Sequence, residues 1–573
     1  MREDETMHWL KRAPIKEALL FLYLAIGGGA VLERLGSLGA SPSLLVYAGL
    51  YAILAGGLWV AASTRAAWLR WPLAVLLFVS AAFLDANERI LGTFLSFDTF
   101  LNLLGSAGFA DDVIDQHGRA ILFGTLAALP LLPAIGLAPR AQDWRAPAWL
   151  GAGAPLAALL LLTGLLYVRG GDGSRGLPGA YPPLAYLLLA GAEQIGTPHG
   201  DRRPVTLVPG TPTATGDVVL LIDESIAAGY LDIAGSDGVA SGLLHPPPGV
   251  AVHNFGVAAS ITNCSLGSNI TLRHGGTRDG YARLNALGPT IWDYARKAGY
   301  RTVYLDAQRT DGGLQNGMDA AELGRIQEFV QFGDTIVRDR DQALADRLAA
   351  LLGNGRREFI LVNKLGAHFP VHDKYPDALA RYAPALPRGQ FAGISDTGSR
   401  AGFDGDAESW RRYRNAYRNT LLWNVEGFFR RLLAGGLHDA TIVYTSDHGQ
   451  ELHERGRPGL NTHCGAEPAQ EEGAVPLAVL TGAAPGGPDW AAAAARNRNR
   501  ASHYQLFPTL LGLMGYDPKQ VTPEYGVTLT DSLDDELRFN TLFNARFGRK
   551  PVWRRIDPAT LARPPRADFA GGE

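Results

Sequence analysis

Glu224, Ser265, Asp447 and His448 lie far apart in the chain, each at the end of a buried-strand pattern or in the turn after one. Together they offer two carboxylates, an imidazole and a hydroxyl, a set that suits a divalent cation activating a nucleophile. The strongest local signal is TSDHGQELHERG (445–456). There Asp447 and His448 follow the apolar run TIVYT, and Gly449 allows a sharp turn. Adjacent Asp and His in such a turn can both reach one ion. Alone, an SDHG tetrapeptide is an ordinary loop. Its place after a buried strand, with Glu224 at another strand end, is what points to a metal.

The elements that must position these residues are legible as apolar runs ending in polar groups. DVVLLIDES (217–225), RTVYLDAQ (301–308), EFILVNKLGAH (358–368) and ATIVYTSDHG (440–449) share that design, the mark of buried parallel strands. Helical patterns lie between them, including TIWDYARKAG (290–299) and YRNTLLWNVEGFFRRLLAGG (417–436). Strands alternating with helices predict an α/β domain with a mainly parallel sheet over 217–573. Ligands of such sheets bind beyond the carboxyl ends of the strands, where these polar clusters fall.

Composition changes sharply near residue 170 of the 573. Before it, five segments reach the length of a membrane-spanning helix, at about 15–33, 43–63, 68–86, 119–138 and 147–168. With the N-terminus inside, the inner segments carry Arg2, Lys11, Arg12, Lys16, Arg65, Arg70, Arg140 and Arg145. The outer loops carry only Arg34, Arg89 and Arg119. The positive-inside rule then places everything after residue 168 outside the cytoplasm. Residues 87–118 are amphipathic and are expected along the outer membrane face, with Asn102 as a candidate headgroup contact. A linker over 169–216 is expected to contain an interfacial helix, PPLAYLLLAGAEQI. The net charge of −3 and the lack of a long basic run argue against nucleic acid as a partner.

The two cysteines, Cys264 and Cys464, exclude a zinc ribbon or a disulfide-dense scaffold. Each adjoins a candidate site position. Two buried thiols and one disulfide tying the two loops both fit the sequence.

SDHG, the Glu at the first soluble strand's end, AHFP (367–370) and SHYQLFPTLLGLMGY (502–516) resemble the sulfatase-like branch of the alkaline-phosphatase superfamily. With five N-terminal spans and an amphipathic outer loop, the whole chain resembles the bacterial phosphoethanolamine transferases. The resemblance implies a multi-pass inner-membrane protein with a periplasmic catalytic domain. It also implies a phospholipid donor, a surface glycolipid or glycan acceptor, and zinc as cofactor, with manganese the alternative used by related lipoteichoic-acid synthases. Asp223-Glu224-Ser225 matches the family's Gly-Glu-Thr segment, and Asp447 and His448 match its metal pair. Within FGVAASITNCSLGSNITL (255–272), aligning Phe255 and Ser268 puts the nucleophile on Ser265, ahead of Thr262 and Cys264. A helix starting there would aim its N-terminal dipole at a phosphate.

The match also makes His368 and His463 substrate-binding or second-metal residues, with Gln308 a phosphate-proximal group and His503 a packing residue. Ala227 and Gln450 depart from the family pattern, as does the absence of a cysteine-rich nucleophile segment. Cys264-Ser265-Leu266-Gly267-Ser268 lacks the Pro and Arg of the motif that sulfatases need to make formylglycine. The same core also accommodates a phosphoglycerol transferase or phosphodiesterase. A reading of another class is an inactive, membrane-tethered binding protein.

Overall fold

Uncharged apolar runs become long helices in the first of two compact units, Met1–Gly196 and Thr197–Glu573, of this computed structural model. The structure describes residues 15–564 apart from 92–93, 106–109, 141–142, 197–199, 215, 390–404, 438, 457–461, 466, 483–486 and 542. Four helices are long and apolar enough to cross a membrane: Pro42–Ala62, Ala67–Ile90, His117–Gly136 and Ala148–Val168. The first expected span is instead a pair, Ile15–Ile26 and Gly28–Leu38, bent by 54° at its break and a fifth span if taken as one. Three consecutive glycines, Gly27–Gly29, sit at the bend, where low helix propensity makes a break least costly.

One end of this bundle is held by basic side chains on helix C-terminal carbonyls, where the macrodipole favours cations. Lys16 donates to the Ala62 and Leu137 carbonyls. Arg70 donates to Thr64, Arg65 and Gly136. Trp59, Trp68, Trp71, Trp144 and Trp149 are exposed near the same helix ends, an arrangement typical of a membrane–water interface.

Two expected boundaries shift. Residues 87–91 prolong the preceding helix and 110–118 already belong to the next, leaving Phe97–Gly105 as the separate helix of the outer loop. Asn102 lies on that helix, and its side chain falls outside the described residues. Residues 169–216 divide between the two units at Gly196. The helix Pro182–Gly196 buries Tyr186 and Leu189 within the first unit, and the Tyr186 hydroxyl donates to the Leu95 carbonyl. Tyr181 reaches the Leu54 carbonyl in the same way. From residue 202 the chain packs on the second unit, with Arg202 donating to the Asn285 and Gly288 carbonyls and Gly210 N–H to Gly515.

The second unit is built on an eight-stranded sheet. In chain order its strands are β1 (Asp217–Asp223), β2 (Val250–Ala259), β3 (Arg301–Asp306), β4 (Glu328–Gln331), β5 (Glu358–Asn363), β6 (Ala440–Ser446), β7 (Ala474–Gly482) and β8 (Ala501–Ser502). Their spatial order is β4-β3-β5-β1-β6-β7-β2-β8. Strands β4 through β6 are mutually parallel, and β7 runs antiparallel to both β6 and β2.

β1 is fully buried, as its unbroken apolar run requires. Val219 and Leu221 enter the core under the helices Arg340–Leu352 and Ala407–Leu421. Val218, Leu220 and Ile222 enter the opposite core under Ile291–Lys297 and Leu506–Leu513. The helix expected from Ile291 starts on a Thr290–Asp293 capping box. The longer helix over 417–436 is interrupted by a π-helical turn at Leu422–Gly427. Such turns recur at functional sites. Here Asn424 accepts from Lys364 through its carbonyl and donates from its side chain to the Gly366 carbonyl.

Candidate metal centre

Parallel pairing of β1 with β6 sets Asp223 beside Ser446, so the residues that follow each strand emerge together. Asp447 N–H donates to the Asp223 carbonyl at 2.9 Å, locking the two turns. Glu224, Asp447 and His448 each present one ligand atom, and these atoms lie within 4.8 Å of one another. All three residues are buried. His448 Nδ1 donates to the Gly449 carbonyl at 2.7 Å, which leaves Nε2 facing the carboxylates, where it donates when protonated and would offer its lone pair to a bound cation. Nε2 stands 3.4 Å from Glu224 and 3.8 Å from Asp447.

The turns that hold this cluster admit few alternatives. A Cβ on Gly449 would fall 2.2 Å from the Glu471 carbonyl oxygen and 2.6 Å from that of Ala474. Ser225 adopts φ 62°, a strained value for a residue with a side chain. It is held by its N–H to Asp447 (3.1 Å), its hydroxyl to Glu224 (2.7 Å), and Tyr417, which donates to its carbonyl (2.9 Å).

Ser265 opens the helix Ser265–His274. Its Oγ lies 3.3 Å from Glu224 and 3.1 Å from His448 Nε2. The two other nucleophile candidates are otherwise engaged. Thr262 donates to the Cys264 carbonyl at 2.8 Å, and Cys264 forms a disulfide with Cys464. That bond also answers the question the two cysteines left open. It joins the turn before Ser265 to the loop carrying His463, where Cys464 N–H donates to the Asn263 carbonyl. It closes a loop of 200 residues, which restricts the unfolded chain by up to about 5 kcal/mol. Reductant, or Cys264→Ser with Cys464→Ser, should therefore lower the denaturation midpoint of the second unit markedly. An unchanged urea midpoint would contradict this.

Asn269 was not singled out by the sequence reading. One turn after Ser265, it donates to Asp447 at 3.2 Å and to the Ser265 carbonyl at 3.1 Å, bridging the helix to the cluster. Its spacing of four from Ser265 was the available signal.

Gln308 stands at the end of β3, but its amide donates to Glu224 (3.1 Å), Asn363 and the Lys364 carbonyl (2.7 Å). These contacts place Gln308 beside the cluster, where its amide orients the Glu224 carboxylate. The His463 ring stacks on His448 with centroids 4.6 Å apart, and His368 is close enough for its charge to act on Glu224. His503 is buried against Thr445, and burial pushes its imidazole down to about 3, as befits a packing residue.

The electrostatics are those of a cation site. Burial and the Glu224 charge push Asp447 up to about 7. Burial opposes a charge on His448, yet the two carboxylates prevail and raise it to about 9. Burial likewise opposes ionised Glu224, but the His448 hydrogen bond and charge hold it well below the usual carboxylate range. Two buried carboxylates thus share the single positive charge of the imidazolium, and a divalent cation on these donors would supply the charge they lack.

Beneath the cluster, buried Lys364 donates to Asp223 at 2.6 Å, and Tyr444 donates to the same carboxylate. Its Nζ is also 3.9 Å from Asp341, which accepts from the Leu365 and Gly366 N–H groups. Lys364→Met leaves Asp223 buried without its cation, at about 3–5 kcal/mol. Burial already raises Asp223 to about 6. A raised carboxyl favours the folded state below its unfolded value and loses that contribution as pH rises. The penalty of Lys364→Met should therefore shrink in acid and grow towards neutral pH. Denaturant titrations of both proteins across that range check this.

With the geometry in place, the family model described as Sulfatase matches residues 217–516. The chain belongs to the sulfatase family. This sulfatase-family protein has no match among curated proteins. Among solved structures it is similar to the integral membrane lipooligosaccharide phosphoethanolamine transferase A from Neisseria meningitidis. The identity is 18% and the TM-score 0.64, with 88% of this chain and 95% of that chain covered. It is also similar to the soluble domain of that transferase at 20% identity, covering 56% and 94% of the two chains with TM-score 0.45. A third likeness is to the C-terminal periplasmic domain of EcEptC from Escherichia coli in complex with Zn. There the identity is 17%, the coverage 59% and 92%, and the TM-score 0.43. The full-length likeness shows the fold: an N-terminal set of apolar helices followed by a sulfatase-like α/β domain. The family's name does not carry over to formylglycine chemistry, because Cys264 is held in a disulfide and has no thiol to convert.

Proposed function

We propose that this protein is a membrane phosphoethanolamine transferase. It moves a phospholipid headgroup onto a surface glycolipid or glycan through a phospho-Ser265 intermediate. The observation that carries the reading is a single hydroxyl, Ser265 Oγ, within 3.3 Å of both Glu224 and His448 at the start of a helix.

Glu224, Asp447, His448 and the Ser265 oxygen would hold the metal. Their mixed nitrogen and oxygen donors suit zinc, with manganese the alternative. When bound, such an ion lowers the pKa of the Ser265 hydroxyl and neutralises phosphoryl oxygens. In the first step Ser265 Oγ attacks the headgroup phosphorus. The bond from phosphorus to the diacylglycerol oxygen breaks, the Ser265 proton is lost to solvent, and the leaving oxygen takes a proton from solvent or a neighbouring histidine. In the second step an acceptor hydroxyl attacks the phosphoserine and frees Ser265. The Ser265 helix directs its N-terminal N–H groups at the phosphate, and His368 and His463 contact the phosphoryl group or protonate the leaving oxygen. Asn102 remains a proposed lipid-headgroup residue of the first unit. Gln308 and Asn269 act through the carboxylates they orient.

The excess of Lys and Arg in one set of loops, with exposed tryptophans near the same helix ends, supports a cytoplasmic N-terminus and a periplasmic second unit. The organism implied is a bacterium with this protein in its inner membrane. Mass spectrometry of surface glycolipids from cells with and without the protein tests the reading. A phosphoethanolamine increment that depends on the protein supports it. A phosphoglycerol increment points to the sister chemistry, and no increment on any glycolipid or glycan removes the proposal.

A further inference from the structure

We propose that the C-terminal hairpin of the second unit is a docking surface for the anionic headgroups of a phospholipid bilayer. Residues 538–563 carry seven Lys and Arg against one acid, Asp557, in a chain whose net charge is −3. Such segregation gives one face a positive field that the molecule as a whole lacks. The segment lies beyond residue 516, where the match to the sulfatase family ends.

Two short strands, β9 (Arg538–Asn540) and β10 (Trp553–Arg555), pair antiparallel and hold the segment in place. Arg278 fastens it to the body of the unit, with its guanidinium 4.9 Å from the Trp553 ring and 5.0 Å from that of Tyr504. Lys550, Arg554 and Arg555 are exposed and have no acidic partner among the described residues. Arg555 also stands directly across the ladder from Arg538, whose own partner is Glu536. Like charges placed opposite each other cost stability unless a counterion answers them.

The apolar side chains decide between a bilayer and a soluble polyanion. Val552, set among the cations, is 51% exposed, and the half-buried Trp553 follows it. Aliphatic and aromatic groups interleaved with Lys and Arg suit the interface of an anionic membrane. A soluble polyanion would use the cations and leave Val552 in water. The apolar helices of the first unit tether the hairpin near a bilayer, so even a weak attraction becomes effective.

Docking also reaches the turn that carries Ser265. Asn540 donates from its backbone N–H and its side-chain amide to the Ile261 carbonyl, at 3.1 and 3.0 Å. Ile261 lies just before the Ser265 turn, so a hairpin seated on headgroups holds that turn close to the lipid. The proposal goes beyond the transfer reading and stands without it: Ser265→Ala should dock as the wild type does.

The test places the full-length protein in nanodiscs whose lipid headgroups carry a nitroxide quencher. Both native cysteines are tied in the disulfide, so Val552→Cys accepts a single fluorophore. Replacing about a third of the phosphatidylcholine by phosphatidylglycerol should raise the docked-to-free ratio of the label at least about tenfold. Salt at about 0.5 M, which screens beyond a few ångströms, should reverse the gain. Lys550→Gln combined with Arg554→Gln and Arg555→Gln, at an unchanged melting temperature, should abolish it. If that triple variant fails to fold, the salt reversal in the otherwise unaltered protein decides. Quenching indifferent to anionic lipid, insensitive to salt, or retained by the triple variant would each overturn the proposal. A label that responds to soluble polyphosphate but not to anionic lipid would overturn it too, in favour of a soluble polyanion.

Discussion

Ser265→Ala should fold normally and lose transfer by roughly 10³-fold or more, with no covalent phospho-intermediate. The fold should survive because Ser265 begins a helix without capping it, and among the described residues its hydroxyl meets Glu224 and His448 alone. The reaction should fail because the two neighbouring nucleophile candidates are engaged elsewhere. Thr262 is turned to the Cys264 carbonyl, and Cys264 is consumed by the disulfide. Thr262→Ala provides the contrast. It should cost about 1 kcal/mol of stability through the lost buried hydrogen bond while leaving the phospho-intermediate in place. Headgroup-labelled donor, followed by gel and peptide mapping, separates the two variants. Residual labelling of Ser265→Ala would move the nucleophile elsewhere.

Removing the metal is the second large effect. Chelation, or His448→Ala, should lower turnover by roughly 10³-fold, since several kcal/mol of transition-state charge stabilisation is lost. It should also destabilise the second unit. Without a cation, Glu224 and Asp447 face each other in a buried site with only the protonated imidazole between them. Metal at a thousandfold excess over its dissociation constant should stabilise the wild type by about 4 kcal/mol. The melting temperature should rise with added zinc or manganese in the wild type and stay flat in His448→Ala. A wild-type melting curve indifferent to every divalent cation would speak against the site.

How much of this was legible in the sequence differs from residue to residue. β1 could be read because a central parallel strand buries both faces, so its apolar run is unbroken until Asp223. The same logic located Glu224, Asp447 and His448, because polar residues straight after such a strand must emerge at its carboxyl end. The choice of Ser265 over Thr262 and Cys264 rested on a family resemblance, since three nucleophilic side chains lie within four positions and the sequence alone does not say which faces the cluster. Lys364 escaped notice because a lysine after an apolar strand looks solvated. Its burial depends on Asp223, Asp341 and the Asn424 carbonyl, which lie on three other elements. Gln308 was placed at the right strand end, but which oxygen its amide meets is set by register between β3, β5 and β1. In the first unit the spans were visible from hydropathy, whereas packing of 182–196 was not. That packing turns on single hydroxyls such as Tyr186 finding backbone partners.

The most direct test of the central claim is peptide mass spectrometry after incubating the purified, metal-loaded protein with phosphatidylethanolamine and no acceptor. The account predicts one phosphoethanolamine on the peptide containing Ser265, formed as diacylglycerol is released and absent in Ser265→Ala. Diacylglycerol release with the peptide unmodified, or modification of a different residue, would contradict it.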